Sequence, residues 1–203
     1  MTQRILVIGG GFAGLWAAAG AARVLDAAGV EPGRIEVALL NPDATHAIRV
    51  RCYEAVLAPA RVPLDAVLGP IGVRRIEGRA TAIDTEAGLV RAGASAIPYD
   101  RLILAAGSQI WRPPVPGLAA HGFDVDTLDG AARLAEHMAR LGAGPEAGAR
   151  TAVVIGAGLV GIEIACESRE RVAAAFGADP AAIRVILLDH AAEPGAGMGP
   201  AAL

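Results

Sequence analysis

Two copies of one glycine-rich turn constrain this chain more than any other feature. The first runs Ile5-Leu6-Val7-Ile8-Gly9-Gly10-Gly11-Phe12-Ala13-Gly14, and the second Ala152-Val153-Val154-Ile155-Gly156-Ala157-Gly158-Leu159-Val160-Gly161. Gly9 and Gly156 lie 147 positions apart. Each copy is an apolar run, then G-x-G-x-x-G, then a proline-free helix-like stretch (Phe12 to Ala28, Leu159 to Ala175), then a second apolar run. With 26 glycines in the chain, one such match is weak evidence. Repetition in the same context is what gives it weight.

That order is the dinucleotide-binding βαβ unit. The first glycine turns the chain sharply from strand to helix, because it reaches positive φ without a Cβ penalty. The second leaves bare backbone for a pyrophosphate, and the third lets the helix lie tight against the strand. The helix N-terminus offers unpaired N–H groups and partial positive charge. The four-residue apolar runs before each turn read as buried parallel strands. Two such units in a short chain predict two nucleotides meeting, with electron transfer between them.

Each unit closes on a strand whose end should meet the adenosine ribose: Ile35 to Leu40 before Asn41, and Ile183 to Leu188 before Asp189. The gaps from Gly14 and Gly161 exceed the about 20 residues of the general pattern. The proline-containing insertions Val30-Glu31-Pro32-Gly33 and Gly177-Ala178-Asp179-Pro180 account for the excess. A carboxylate at Asp189 accepts from a ribose 2′-OH and repels a 2′-phosphate, which predicts NAD rather than NADP. Asn41 can hydrogen-bond a ribose but carries no charge.

At 203 residues the chain is long for one domain and short for two. Its net charge of −3 argues against a nucleic-acid surface. All 18 basic residues are Arg. No signal-peptide pattern opens the chain, and no stretch is long and charge-free enough to span a bilayer. Cys52 and Cys166 have no C-x-x-C or zinc spacing, and the four histidines show no metal spacing, so no metal site is expected. Cys166 reads as a small buried residue on the second helix. Cys52, in Arg49-Val50-Arg51-Cys52-Tyr53-Glu54, is either an ordinary loop cysteine or a thiol whose pKa neighbouring arginines lower.

Between the repeats, Tyr53 to Leu57 is a short helix candidate and Val73 to Asp84 a strand. Gly88 to Arg91 and Ala96 to Pro98 read as strands of a small antiparallel layer, and Arg101 to Ala105 as a buried strand. A helix is predicted from about Leu128 to Leu141, with Thr127 as its N-cap and Asp129 in its first turn.

Three ordered motifs, Val7 to Gly14, Tyr99-Asp100-Arg101-Leu102-Ile103-Leu104-Ala105-Ala106-Gly107-Ser108 and Gly156 to Glu163, resemble the two-dinucleotide flavoprotein superfamily. It includes type II NADH dehydrogenases and pyridine nucleotide–disulfide oxidoreductases. The resemblance implies an α/β, Rossmann-like fold with two βαβ units and a small antiparallel β layer between them. It implies an FAD-binding domain over residues 1–116 and an NAD-binding domain over 117–203. FAD would lie over Gly9, Gly11, Phe12, Ala13 and Gly14, with its ribose near Asn41 and with Ala80, Ala106 and Gly107 near the cofactor. NADH would lie over Gly156, Gly158, Leu159, Val160 and Gly161, with Asp189 at its ribose. Glu163 matches a position near the nicotinamide; read alone, it is a solvated helix carboxylate.

The activity implied is hydride transfer from NADH to FAD, with electrons passing to a small acceptor. The missing dithiol favours a quinone. The alternative is a single-cysteine NADH peroxidase or coenzyme A–disulfide reductase using Cys52. After Asp189 the superfamily's later Gly-Asp motif and C-terminal domain are not found, so C-terminal truncation is expected. That leaves a further alternative, a non-catalytic nucleotide-binding fragment. A cytoplasmic location is expected, peripheral at the inner membrane face in a full-length form whose C-terminal part would make the contact. A homodimer is a further expectation.

Overall fold

The computed structural model describes residues 2–141 and 150–196. The chain forms two compact units, Met1–Ile48 with Ala58–Trp111, and Arg49–Leu57 with Arg112–Leu203.

The first unit begins with β1 (Gln3–Ile8), α1 (Phe12–Ala27) and β2 (Ile35–Asn41). A short antiparallel ribbon follows, β3 (Thr45–Ala47) with β4 (Arg61–Pro63), then α2 (Leu64–Leu68) and β5 (Arg74–Glu77). Strands β6 (Ala80–Asp84), β7 (Leu89–Ala92) and β8 (Ser95–Pro98) make an antiparallel meander, and β9 (Arg101–Leu104) returns to the main sheet. That sheet is wholly parallel, in the order β5-β2-β1-β9.

Successive side chains on a strand point to opposite faces, so a strand covered on both sides must be apolar at every position. Val7, Val37 and Leu39 face the helices and pack with Ala18, Leu64, Leu68 and Val73. Leu6, Ile8, Ala38 and Leu40 face the other way and pack with Val90 and Ile97 of the meander. The layers are therefore helix, parallel sheet and antiparallel sheet. This is the Rossmann-like dinucleotide fold.

The expected strand from Val73 to Asp84 is two strands. Gly78 takes φ +157° between β5 and β6, and its N–H bonds the Asn41 carbonyl at 3.1 Å. The chain there leaves the parallel sheet for the meander. Tyr53 to Leu57 forms turns and bends rather than a helix. Cys52 and Glu54 donate to carbonyls three residues back, Arg49 and Arg51, and Arg51 pairs with Glu54 at 2.7 Å. Pro59 then opposes a continued helix.

The second unit contains α3 (Leu118–His121), α4 (Leu128–Leu141), β10 (Thr151–Ile155), α5 (Leu159–Phe176) and β11 (Arg184–Leu188). Thr127 Oγ1 accepts the Gly130 N–H at 3.0 Å and caps α4 as expected. β10 and β11 pair in parallel, Thr151 with Arg184 through Ile155 with Leu188. Val172, Ala173 and Ile183 form the buried centre beside Met138 and Phe176. β10 is less buried than its apolar run predicts: Val153 and Ile155 are exposed. Among the described residues it pairs only with β11. Residues 49–57 join this unit through Arg49, which pairs with Asp126, and Arg171 Nη1, which donates to the Tyr53 carbonyl at 2.9 Å.

Candidate functional site

The carboxyl ends of β1, β2, β5 and β9 share one edge of the first sheet. β1 is the point where the strand order reverses, with β2 on one side and β9 on the other. Open α/β sheets bind ligands at such a point. The turn after β1 meets each glycine requirement for a separate reason. Gly9 has φ +107°, and a Cβ there would run into the Ala105 carbonyl oxygen. A Cβ on Gly14 would overlap the Gly9 carbonyl oxygen, so α1 rests directly on the turn. Around Gly11, by contrast, no atom lies within 4 Å of where a Cβ would stand. The backbone is bare there, and no side chain caps α1. Its first N–H groups are available to an anion.

The middle residue of the turn is held at both ends of its backbone. Gly10 N–H donates to Asn41 Oδ1 at 2.8 Å, and Asn41 Nδ2 donates to the Asp43 carbonyl at 2.9 Å. His46 Nδ1 lies 2.8 Å from the Gly10 carbonyl oxygen in a buried contact. A Cβ at Gly10 would come within 2.8 Å of Asn41 Cγ and 3.0 Å of Leu64 Cδ1. Glycine at this position follows from the Asn41 contact.

The second turn repeats the geometry. Gly156 has φ +104°, a Cβ on Gly161 would overlap the Gly156 carbonyl oxygen, and nothing lies within 4 Å of a Cβ on Gly158. Ala157 N–H donates to Asp189 Oδ2, and Gly195 N–H donates to the Ala157 carbonyl at 2.8 Å. Asp189 Oδ1 accepts from Ala191 N–H at 2.8 Å. The Ala157 and Ala191 N–H groups hold the Asp189 carboxyl below the usual aspartate range. A cleft of about 260 Å³, lined by Ala157, Leu188, Asp189, Ala191 and Pro194, opens beside this carboxylate.

Around the first turn lie several more of the sequence-predicted residues. Phe12 and Ala13 are exposed in the first turn of α1, and Ala106 and Gly107 are exposed just past β9. Ala80 starts β6 and packs on the Leu6, Ile8 and Leu40 side of the core. In the second unit Leu159 and Val160 are exposed at the start of α5, and Glu163 is half-buried one turn on. One cysteine expectation differs from the fold. Cys166 is exposed, because the buried face of α5 is made by Ser168, Val172 and Ala173. Cys52 is buried, 1 % exposed, and the flanking Arg49 and Arg51 are each paired with a carboxylate. Sequence reasoning passed over His46, Ala191 and Gly195. A lone histidine five residues past Asn41 carries no pattern, and Gly195 shows its positive φ, +75°, only in the fold.

The sequence matches the pyridine nucleotide-disulphide oxidoreductase family over residues 3–202. The chain belongs to this family. It is 50% identical over 199 residues to an NADH dehydrogenase-like protein of Mycobacterium tuberculosis, covering 97% of this chain and 50% of that protein. It is 25% identical over 203 residues to a type II NADH:quinone oxidoreductase of Staphylococcus haemolyticus, covering 93% and 49%. Among solved structures, NDH2 of Plasmodium falciparum in complex with NADH superposes with TM-score 0.78 at 14% identity, covering 96% and 43%. That likeness concerns the fold. The chain spans about half the length of the curated relatives it matches. Among the described residues, no helix is long and apolar enough to cross a membrane.

Proposed function

We propose that this chain provides the two dinucleotide sites of an NADH dehydrogenase-like flavoprotein, FAD at the first turn and NADH at the second. The observation that carries the reading is the repeated clamp: Asn41 on Gly10 in one unit, Asp189 on Ala157 in the other. Both turns leave the second glycine bare and hold the middle peptide rigid, as a pyrophosphate requires.

In this reading the N–H groups of Gly11, Phe12 and Ala13 bind the FAD pyrophosphate, Asn41 faces its ribose, and Ala80, Ala106 and Gly107 flank the cofactor. Gly158, Leu159, Val160 and Gly161 take the NADH pyrophosphate. Beyond its Ala157 bond, Asp189 Oδ2 has lone-pair capacity for a ribose 2′-OH, while Oδ1 takes the Ala191 N–H and lies 3.1 Å from His190 Nδ1; its charge disfavours a 2′-phosphate. Glu163 sits toward the nicotinamide end. FAD, when bound, supplies a two-electron acceptor for the hydride of NADH and a donor to the next acceptor. The name of the Staphylococcus haemolyticus relative favours a quinone there, which takes the electron pair with two protons and leaves as the quinol. The burial of Cys52 gives no support to a thiol acceptor.

The test is anaerobic reduction followed by reoxidation. NADH should bleach the bound flavin, and a short-chain quinone should restore its colour. Colour restored by a disulfide and not by a quinone would contradict the acceptor assignment.

A further inference from the structure

We infer that His46 is a positioning residue for the first pyrophosphate turn: its Nδ1–H fixes the Gly10–Gly11 peptide so that the Gly11 N–H is presented to the ligand. The inference rests on the flavin reading of that site.

Gly9, Gly10 and Gly11 are three consecutive glycines, the sequence with the greatest backbone freedom. A turn that binds phosphate through N–H groups needs them aimed in one direction. The Gly10 carbonyl and the Gly11 N–H belong to one peptide plane, and no described peptide is cis. In a trans peptide the two groups point opposite ways. Anchoring the carbonyl oxygen therefore aims the N–H. A hydrogen bond to that carbonyl also polarises the peptide and strengthens its N–H as a donor.

His46 is built to hold this carbonyl. It is only 4 % exposed and sits in β3 opposite Val62 of β4. The ribbon is closed on both sides, by Ile48 N–H to the Ala60 carbonyl at 2.9 Å and Leu64 N–H to the Ala44 carbonyl at 2.9 Å. The imidazole stands edge-on to the Phe12 ring, with centroids 4.7 Å apart and planes at 83°. A carbonyl oxygen only accepts, so Nδ1 must carry the proton. Neutral or charged, the ring keeps that donor.

The second unit supplies an independent parallel. The corresponding carbonyl, of Ala157, is also anchored, by a backbone N–H from Gly195. Unrelated groups hold the same atom in the two repeats. What they share is the need to fix the peptide before the second glycine.

The experiment measures FAD affinity by flavin fluorescence for the wild-type chain, His46→Phe and His46→Asn, with NADH affinity and apoprotein melting temperature beside it. Phe keeps the ring and loses the donor; Asn places an N–H near the Nδ1 position. His46→Phe should weaken FAD about tenfold or more, the scale of one unpaired buried hydrogen-bonding group. His46→Asn should recover most of that loss, and neither variant should change NADH affinity. Nitrogen NMR of the wild-type imidazole should show a protonated Nδ1, a result that does not depend on either variant folding. Full FAD affinity in His46→Phe, equal losses in both variants, or an unprotonated Nδ1 would overturn the inference while leaving the flavin reading intact. A wild-type chain that takes up no FAD would overturn both.

Discussion

Asn41 Oδ1 accepts the Gly10 N–H at 2.8 Å while Asn41 Nδ2 donates to the Asp43 carbonyl at 2.9 Å, so both ends of this carboxamide have a fixed partner. An aspartate can replace only the first. Asn41→Asp should set a carboxylate oxygen against the Asp43 carbonyl and lower stability. Asn41→Leu should cost about 1–3 kcal/mol by leaving the Gly10 N–H unpaired. Urea unfolding of the two variants checks both.

Gly14 and Gly11 should respond to the same substitution in opposite ways. Gly14→Ala puts a methyl into the Gly9 carbonyl and should destabilise the apoprotein by at least about 1–3 kcal/mol. Gly11→Ala meets open space at φ −74°, ψ −175°, so its stability should stay within about 1 kcal/mol of wild type. Its methyl would stand where the pyrophosphate is proposed to bind, and FAD affinity should fall. Thermal melts paired with flavin titration separate the two effects.

In the proposed reading, Asp189 ties nucleotide choice to acid stability. Its folded pKa lies below the ordinary value of about 3.9, first because of the Ala157 N–H and then the Ala191 N–H. The stabilisation is present above the ordinary value and is lost as pH falls through the lowered one. Asp189→Asn should flatten the acid limb of the stability–pH curve below about pH 4. The same variant should narrow the preference for NADH over NADPH, measured as a ratio of affinities.

Much of this was legible because short-range patterns fixed it. The double G-x-G-x-x-G named both turns, the apolar runs named β1, β2, β9 and β11, and Thr127 announced α4. What escaped depends on contacts made far along the chain. The break at Gly78 reflects a bond to the Asn41 carbonyl 37 residues earlier. Cys166 faces outward because α5 buries a different stripe, and the apolar run of β10 gives no sign that Val153 and Ile155 are exposed. His46 carries its meaning only once β3 brings it to Gly10.

Leu39 tests the layered core. It is fully buried between the sheet and α2, packing with Leu64 and Leu68. Leu39→Ala should cost about 2–5 kcal/mol in urea unfolding. The NADH affinity of the folded fraction should be unchanged.

The most direct test of two dinucleotides on one chain is stoichiometry. Purified protein is saturated with FAD, desalted, and titrated anaerobically with NADH while the flavin absorbance is followed. The account predicts one flavin per chain, bleached by one equivalent of NADH, with Gly11→Ala losing flavin and Gly158→Ala keeping flavin but losing the bleaching at low NADH. A chain that holds NADH and no flavin, or flavin that NADH cannot reduce, would contradict it.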